Sequence, residues 1–188
     1  MSGRGAAPRR DLLSGQFALT WSLLDYHLER LVPADLLWEP AALCWSVRPA
    51  ADGRWTPDWD DAEPDPIPVP TIAWLSWHIG WWWSVTLDHA EGRAPRERTD
   101  VDWPGDRDAT VAWLRSLGSA WSEVLGRLRE PDLDAPAPGP WPAGSGRTVA
   151  DMAGWVNAEL MKNAAEIGQL RLLRAAGGRS ALRYAEPS

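Results

Sequence analysis

Cysteine, lysine and phenylalanine each occur once in this 188-residue chain, as Cys44, Lys162 and Phe17. A single cysteine excludes an intrachain disulfide and a cysteine-built zinc site. Cys44 lies in LCWSV, with no histidine or group of bases nearby to make it a reactive thiolate, and reads as a small core residue. Long apolar runs are missing too. None reaches the ~18 residues of a membrane span, and the nearest candidate, 72–87, is interrupted by His78 and Gly80 and holds five tryptophans. The opening MSGRGAAPRRD has arginines but no apolar stretch ahead of a cleavage site, so no secretory signal is read and the cytoplasm is the expected compartment. Positive charge is in deficit, with a net charge of −7 and no basic stripe. That argues against a nucleic-acid partner. Phosphate-binding glycine loops, GxSxG and HExxH are all absent.

What the chain has in quantity is tryptophan: 15 residues, against one Phe and two Tyr. The plain reading is that Trp fills the core where other chains use Phe or Leu. A buried indole N–H needs a partner, so some of these rings are expected at the edge of a pocket or interface. Trp77, Trp81 and Trp155 flank the polar cluster described below and are read as pocket walls.

The length fits one domain with a sizeable core. Four helical segments are predicted at 11–32, 71–90, 106–130 and 148–175. The first carries Phe17, Trp21, Leu24, Leu28 and Leu31 on one stripe, capped by Asp11 or Ser14 and ended by Pro33. The second starts at Thr71 and stops at Gly92. The third points Val111, Leu114, Leu117, Trp121, Val124 and Leu128 inward. The fourth opens on the capping pair Thr148 and Asp151 and is expected to stop at Gly177 and Gly178. The connections are rich in Pro and Gly, and the long one, 38–70, shows no strand period. The expectation is an all-α four-helix bundle over 11–178, with a long crossover between the first two helices. A disordered N-terminus at 1–10 and a flexible tail at 179–188 complete the domain assignment.

His78 sits in the apolar second helix, TIAWLSWHIGWWWSVTLDHAEG. In the fourth, Glu159, Lys162, Asn163 and Glu166 share one stripe at i, i+3, i+4 and i+7. A histidine facing a polar pair on another helix is how bundles build metal sites. The candidate ligands are therefore His78, Glu159 and Asn163, with Glu166 as substitute. Read alone, His78 is also an ordinary core histidine, and the stripe is also a solvated face. Asn163 offers only a neutral carbonyl oxygen, a poor ligand for zinc or nickel, and Lys162 would compete electrostatically. Weak or absent binding of zinc, nickel or manganese is expected. If the stripe is buried, Lys162 is its counter-ion. His27 and His89, each near acidic residues, read as members of solvated faces.

Three segments, WEPAALCWSVRP (38–49), TIAWLSWHIGWWW (71–83) and TVADMAGWVNAELMKNAAEIGQLRLL (148–173), resemble the DinB-like superfamily. These are four-helix bundles that include mycothiol-dependent maleylpyruvate isomerases and bacillithiol transferases. The resemblance implies an up-down-down-up bundle and frequent homodimers. It also implies a metal held by His78, Glu159 and a third residue that falls on Asn163, where the family pattern has histidine. In the active family version the metal binds a low-molecular-weight thiol, whose thiolate attacks an electrophile. Two outcomes stay open: a metal- and thiol-dependent S-transferase or isomerase, and a non-catalytic bundle that binds a small molecule or a protein partner. A third reading is a dimer formed through tryptophans 81–83. No membrane partner is expected.

Overall fold

The computed structural model describes residues 8–184, with side chains through residue 177. Of the loose termini expected from the sequence, 1–7 and 185–188 lie outside the described residues, whereas 9 and 10 open the first helix and 179–184 are helical backbone. Five α-helices are described: α1 (Arg9–Glu29), α2 (Pro33–Leu36), α3 (Ile72–Ala90), α4 (Arg107–Arg127) and α5 (Val149–Tyr184). The four long ones contact in a cycle, α1 with α5 and α4, and α3 with α4 and α5. The chain is therefore mainly helical, and its core lies between these helices.

α1 starts two residues earlier than expected, after Pro8, and neither Asp11 nor Ser14 caps it. The first turn is tied from outside: Arg9 reaches Asp134 at 2.7 Å, and Glu130 accepts from the Arg10 backbone N–H at 2.9 Å. The helix ends at Glu29, ahead of Pro33, and the Arg107 guanidinium donates to the carbonyls of Leu28 and Glu29 at 3.2 and 3.1 Å. The Leu28 carbonyl also accepts from the Leu31 N–H at 3.3 Å, so the guanidinium adds a partner to carbonyls of the last turn, which lack helical ones. Pro33 instead opens α2, a position where its missing N–H costs nothing.

Thr71 caps α3 as expected, accepting from the Trp74 N–H at 3.2 Å, and Gly92 leaves the helix at φ 69°. α4 is capped by Asp106, which accepts from Ala109 at 2.9 Å, and ends at Arg127, three residues short of the expected stop. A 3₁₀ turn, Glu130–Asp134, follows. At α5 the reciprocal pair forms: the Thr148 N–H donates to Asp151 at 2.8 Å, and the Asp151 N–H donates to the Thr148 hydroxyl at 3.3 Å. α5 then continues through Gly177 and Gly178 to Tyr184, beyond the stop read from the sequence. Gly177 does not take the left-handed conformation that a glycine stop requires.

The crossover is folded rather than irregular. β1 (Cys44–Trp45) pairs in parallel with β4 (Val69–Pro70), and β2 (Val47–Pro49) pairs antiparallel with β3 (Trp55–Pro57). Strands of two or three residues are too short to show a period of two, so no strand pattern stands out in this segment. The Thr71 N–H donates to Trp45 O at 2.8 Å, so β1 is joined directly to the start of α3.

None of the tryptophans is exposed. Trp77, Trp83 and Trp121 are among the largest fully buried side chains, so the core-filling reading holds. Trp82 and Trp83 are buried as well, and a dimer surface built from tryptophans 81–83 has no exposed rings to build on.

Candidate functional site

α3 and α5 bring His78 and Glu159 together, with His78 Nε2 3.5 Å from Glu159 Oε1 and both side chains about one-fifth exposed. Lys162, one turn further on α5, donates to the same oxygen at 2.8 Å. Its own side chain is 54% exposed, so it pairs with Glu159 from the solvent side rather than as a buried counter-ion. His78 and Lys162 outweigh the opposing effect of burial and hold the Glu159 carboxyl down, to about 2. Glu159 is thus an anion flanked by two bases.

Asn163 faces elsewhere. Its side chain is fully buried, its Oδ1 accepts from Trp82 Nε1 at 3.2 Å, and its Nδ2 donates to Glu166 at 3.0 Å. Turning the amide over would set two donors, NH₂ and indole N–H, against each other, so the orientation is dictated by its neighbours. The carbonyl oxygen that the sequence assigns to a metal is bonded to an indole, and Glu166 is bonded to the amide. His78 and Glu159 are left as a pair. Among the described residues, no group of three or more His, Cys, Asp or Glu side chains is placed to hold a metal ion. The side chains as arranged do not fit a three-ligand transition-metal centre.

Aromatic rings surround His78. Its imidazole lies parallel to Trp74, with centroids 5.1 Å apart and planes 9° apart, and Trp81 meets it at 68°. Trp74 stacks in turn on Trp45, at 5.1 Å and 20°. Trp59, from the crossover, stands edge-on to Trp81 at 5.2 Å and carries the Arg98 guanidinium 4.6 Å above its ring. His78 Nδ1 is buried without a hydrogen-bond partner. A hollow of about 500 Å³ lies against this array, walled by Trp45, Trp59, Asp58 and the prolines of the crossover.

Of the rings assigned to pocket walls, Trp81 is half-buried and touches His78. Trp155 is half-buried too, but it packs on Trp82 and Trp141. Trp77 is fully buried with its N–H on Val101 O at 2.8 Å, so it supports Trp81 from behind and cannot line a pocket. The sequence reading missed Trp74, although it stands one helical turn before His78 and was legible in that spacing. Trp45 and Trp59 carry no sequence signal, because the folded crossover brings them in.

Other isolated groups also differ from expectation. His27 and His89 are half-buried rather than solvated. Burial, then Arg171 and Arg30, push the His27 proton affinity down. Cys44 is half-buried, with Sγ 2.9 Å from Ala41 O. Asp88, beside His89, is a buried carboxylate gripped by Arg93 and Arg96 at 2.8 and 2.7 Å. That grip fastens the α3–α4 connection and holds the Asp88 carboxyl far below its usual range, with Arg96 as the largest cause.

Over residues 16–167 the chain matches the family model described as the DinB superfamily. Comparison with curated proteins finds no match.

Proposed function

The chain belongs to the DinB superfamily, and on that premise we propose that it is a small-molecule-binding helical bundle that works without a transition metal. The proposal takes the family's up-down-down-up arrangement for the four long helices. The ligand lies in the hollow walled by Trp45, Trp59, Asp58 and the crossover prolines, which the Trp45–Trp74 and Trp59–Trp81 ring contacts join to the surroundings of His78. A hollow with aromatic walls and a few converging polar groups is the usual form of such a site. The observation that carries the reading is Asn163: its amide is committed to Trp82 and Glu166, and so leaves the ligand set at two.

A second reading, the metal- and thiol-dependent S-transferase or isomerase, draws on the 3.5 Å approach of His78 to Glu159, which keeps two donor groups together. Mass spectrometry separates the two. Protein purified without chelator is incubated with zinc, nickel or manganese, and its metal content is compared with that of His78→Ala. The first reading expects well under one metal ion per chain in both proteins. About one per chain, lost in His78→Ala, would overturn it in favour of the transferase. Native mass spectrometry of the fresh protein supplies the ligand test: a small organic adduct is expected, absent in Trp59→Ala.

A further inference from the structure

The hollow against the crossover is rich in hydrogen-bond acceptors and short of donors. From Asp58 to Pro66 the chain carries five carboxylates, Asp58, Asp60, Asp61, Glu63 and Asp65, and no Lys, Arg or His. Asp58 is already engaged, by the Ser46 N–H at 2.8 Å and by Arg48 at 3.2 Å. Asp60 and Asp65 also wall the hollow. Both are exposed and have no hydrogen bond or ion pair among the described residues. Pro64, Pro66 and Pro68 extend that wall and bring no N–H to it. The side-chain donors on the wall are the indoles of Trp45 and Trp59 and the Cys44 thiol, which is given to Ala41 O at 2.9 Å.

The two rings are fixed in place. Trp45 and Trp59 lie within 11° of parallel, with centroids 6.5 Å apart. Trp45 is held by stacking on Trp74, and Trp59 by edge contacts with Trp77 and Trp81. One cation of the chain already uses this array. The Arg98 guanidinium sits 4.6 Å from the Trp59 centroid and has no carboxylate partner among the described residues.

We propose that the hollow binds a protonated organic amine, a small ammonium with an apolar body. The inference rests on the small-molecule reading above and adds the ligand's charge. An ammonium has donors and no acceptor, and it meets a wall with many acceptors and few donors. Indole rings attract a cation through their quadrupole, more strongly where water is displaced. Asp60 and Asp65 complement its charge. An anion would instead meet those carboxylates in a chain of net charge −7. A sugar would leave most of its oxygens without donors, a penalty that an ammonium does not carry. The volume, about 500 Å³, is that of a small-ligand site.

Three probes with the same branched body and different heads give the test: neopentylamine, neopentyl alcohol and pivalate. The amine is protonated at neutral pH, as a lysine is. Each is titrated at constant ionic strength into the full chain with isotope-labelled indole nitrogens, and binding is read by NMR. The amine is expected to shift the Trp45 and Trp59 indole signals, with a Kd about tenfold below that of the alcohol. Pivalate is expected to shift nothing. Asp60→Asn with Asp65→Asn, at exposed and unpaired positions, is expected to bring the amine to the level of the alcohol and leave the alcohol unchanged. Trp59→Leu is expected to lose the amine. Alcohol or pivalate binding as tightly as the amine overturns the charge assignment and leaves the hollow a small-molecule site. Unchanged amine binding in the double Asp variant overturns it too. So does silence from all three probes, and if native mass spectrometry then finds no organic adduct, the small-molecule reading falls with it.

Discussion

Glu159 shows how much one side chain's surroundings govern. Its carboxyl is held at about 2, below the ordinary 4.5, by His78 first and Lys162 next. A carboxylate whose proton affinity falls on folding adds stability that is fully present above its unfolded value and is lost as pH drops through the folded one. Urea unfolding of the wild type should therefore weaken more steeply between about pH 4.5 and pH 2 than unfolding of Glu159→Gln. Parallel curves for the two proteins would mean that His78 and Lys162 do not hold the carboxylate. The polar stripe on α5 was legible from residue spacing, but the role of Asn163 was not. Spacing places Asn163 one turn from Glu159, whereas its orientation is set by an indole on another helix, and sequence period carries no such information.

Among the elements, α4 lays the Trp113 ring against α3 where Gly80 has no side chain. A methyl group built on Gly80 would fall inside the Trp113 ring. Gly80→Ala is thus expected to cost about 1–3 kcal/mol, the usual price of overpacking, read as a lower urea midpoint. In a Trp113→Ala background the same change should cost little, because the ring it displaces is gone. The helices themselves were largely readable. Capping at Thr71, Asp106 and Thr148 follows from side chains adjacent in sequence, and these starts were placed within a residue. The ends were less readable, because distant groups bear on them. Arg107 donates to the last turn of α1, and two glycines fail to close α5. The crossover shows no strand period because its order comes from pairing across 25 residues, Cys44 with Val69.

At the scale of the molecule, tryptophans take the place of phenyl groups in the core, while Leu12, Leu19 and Leu23 of α1 and Leu172 and Leu173 of α5 stay exposed. Apart from its three histidines, the chain's use of arginine for every other base has a chemical consequence. Lys162 is the single side-chain amine, it is more than half exposed, and it stands 2.8 Å from Glu159. An amine-reactive reagent therefore has one side-chain target, apart from the α-amine. Its rate of acylation reports from within the His78 cluster, slowing when a ligand covers Glu159 and quickening when the carboxylate is removed.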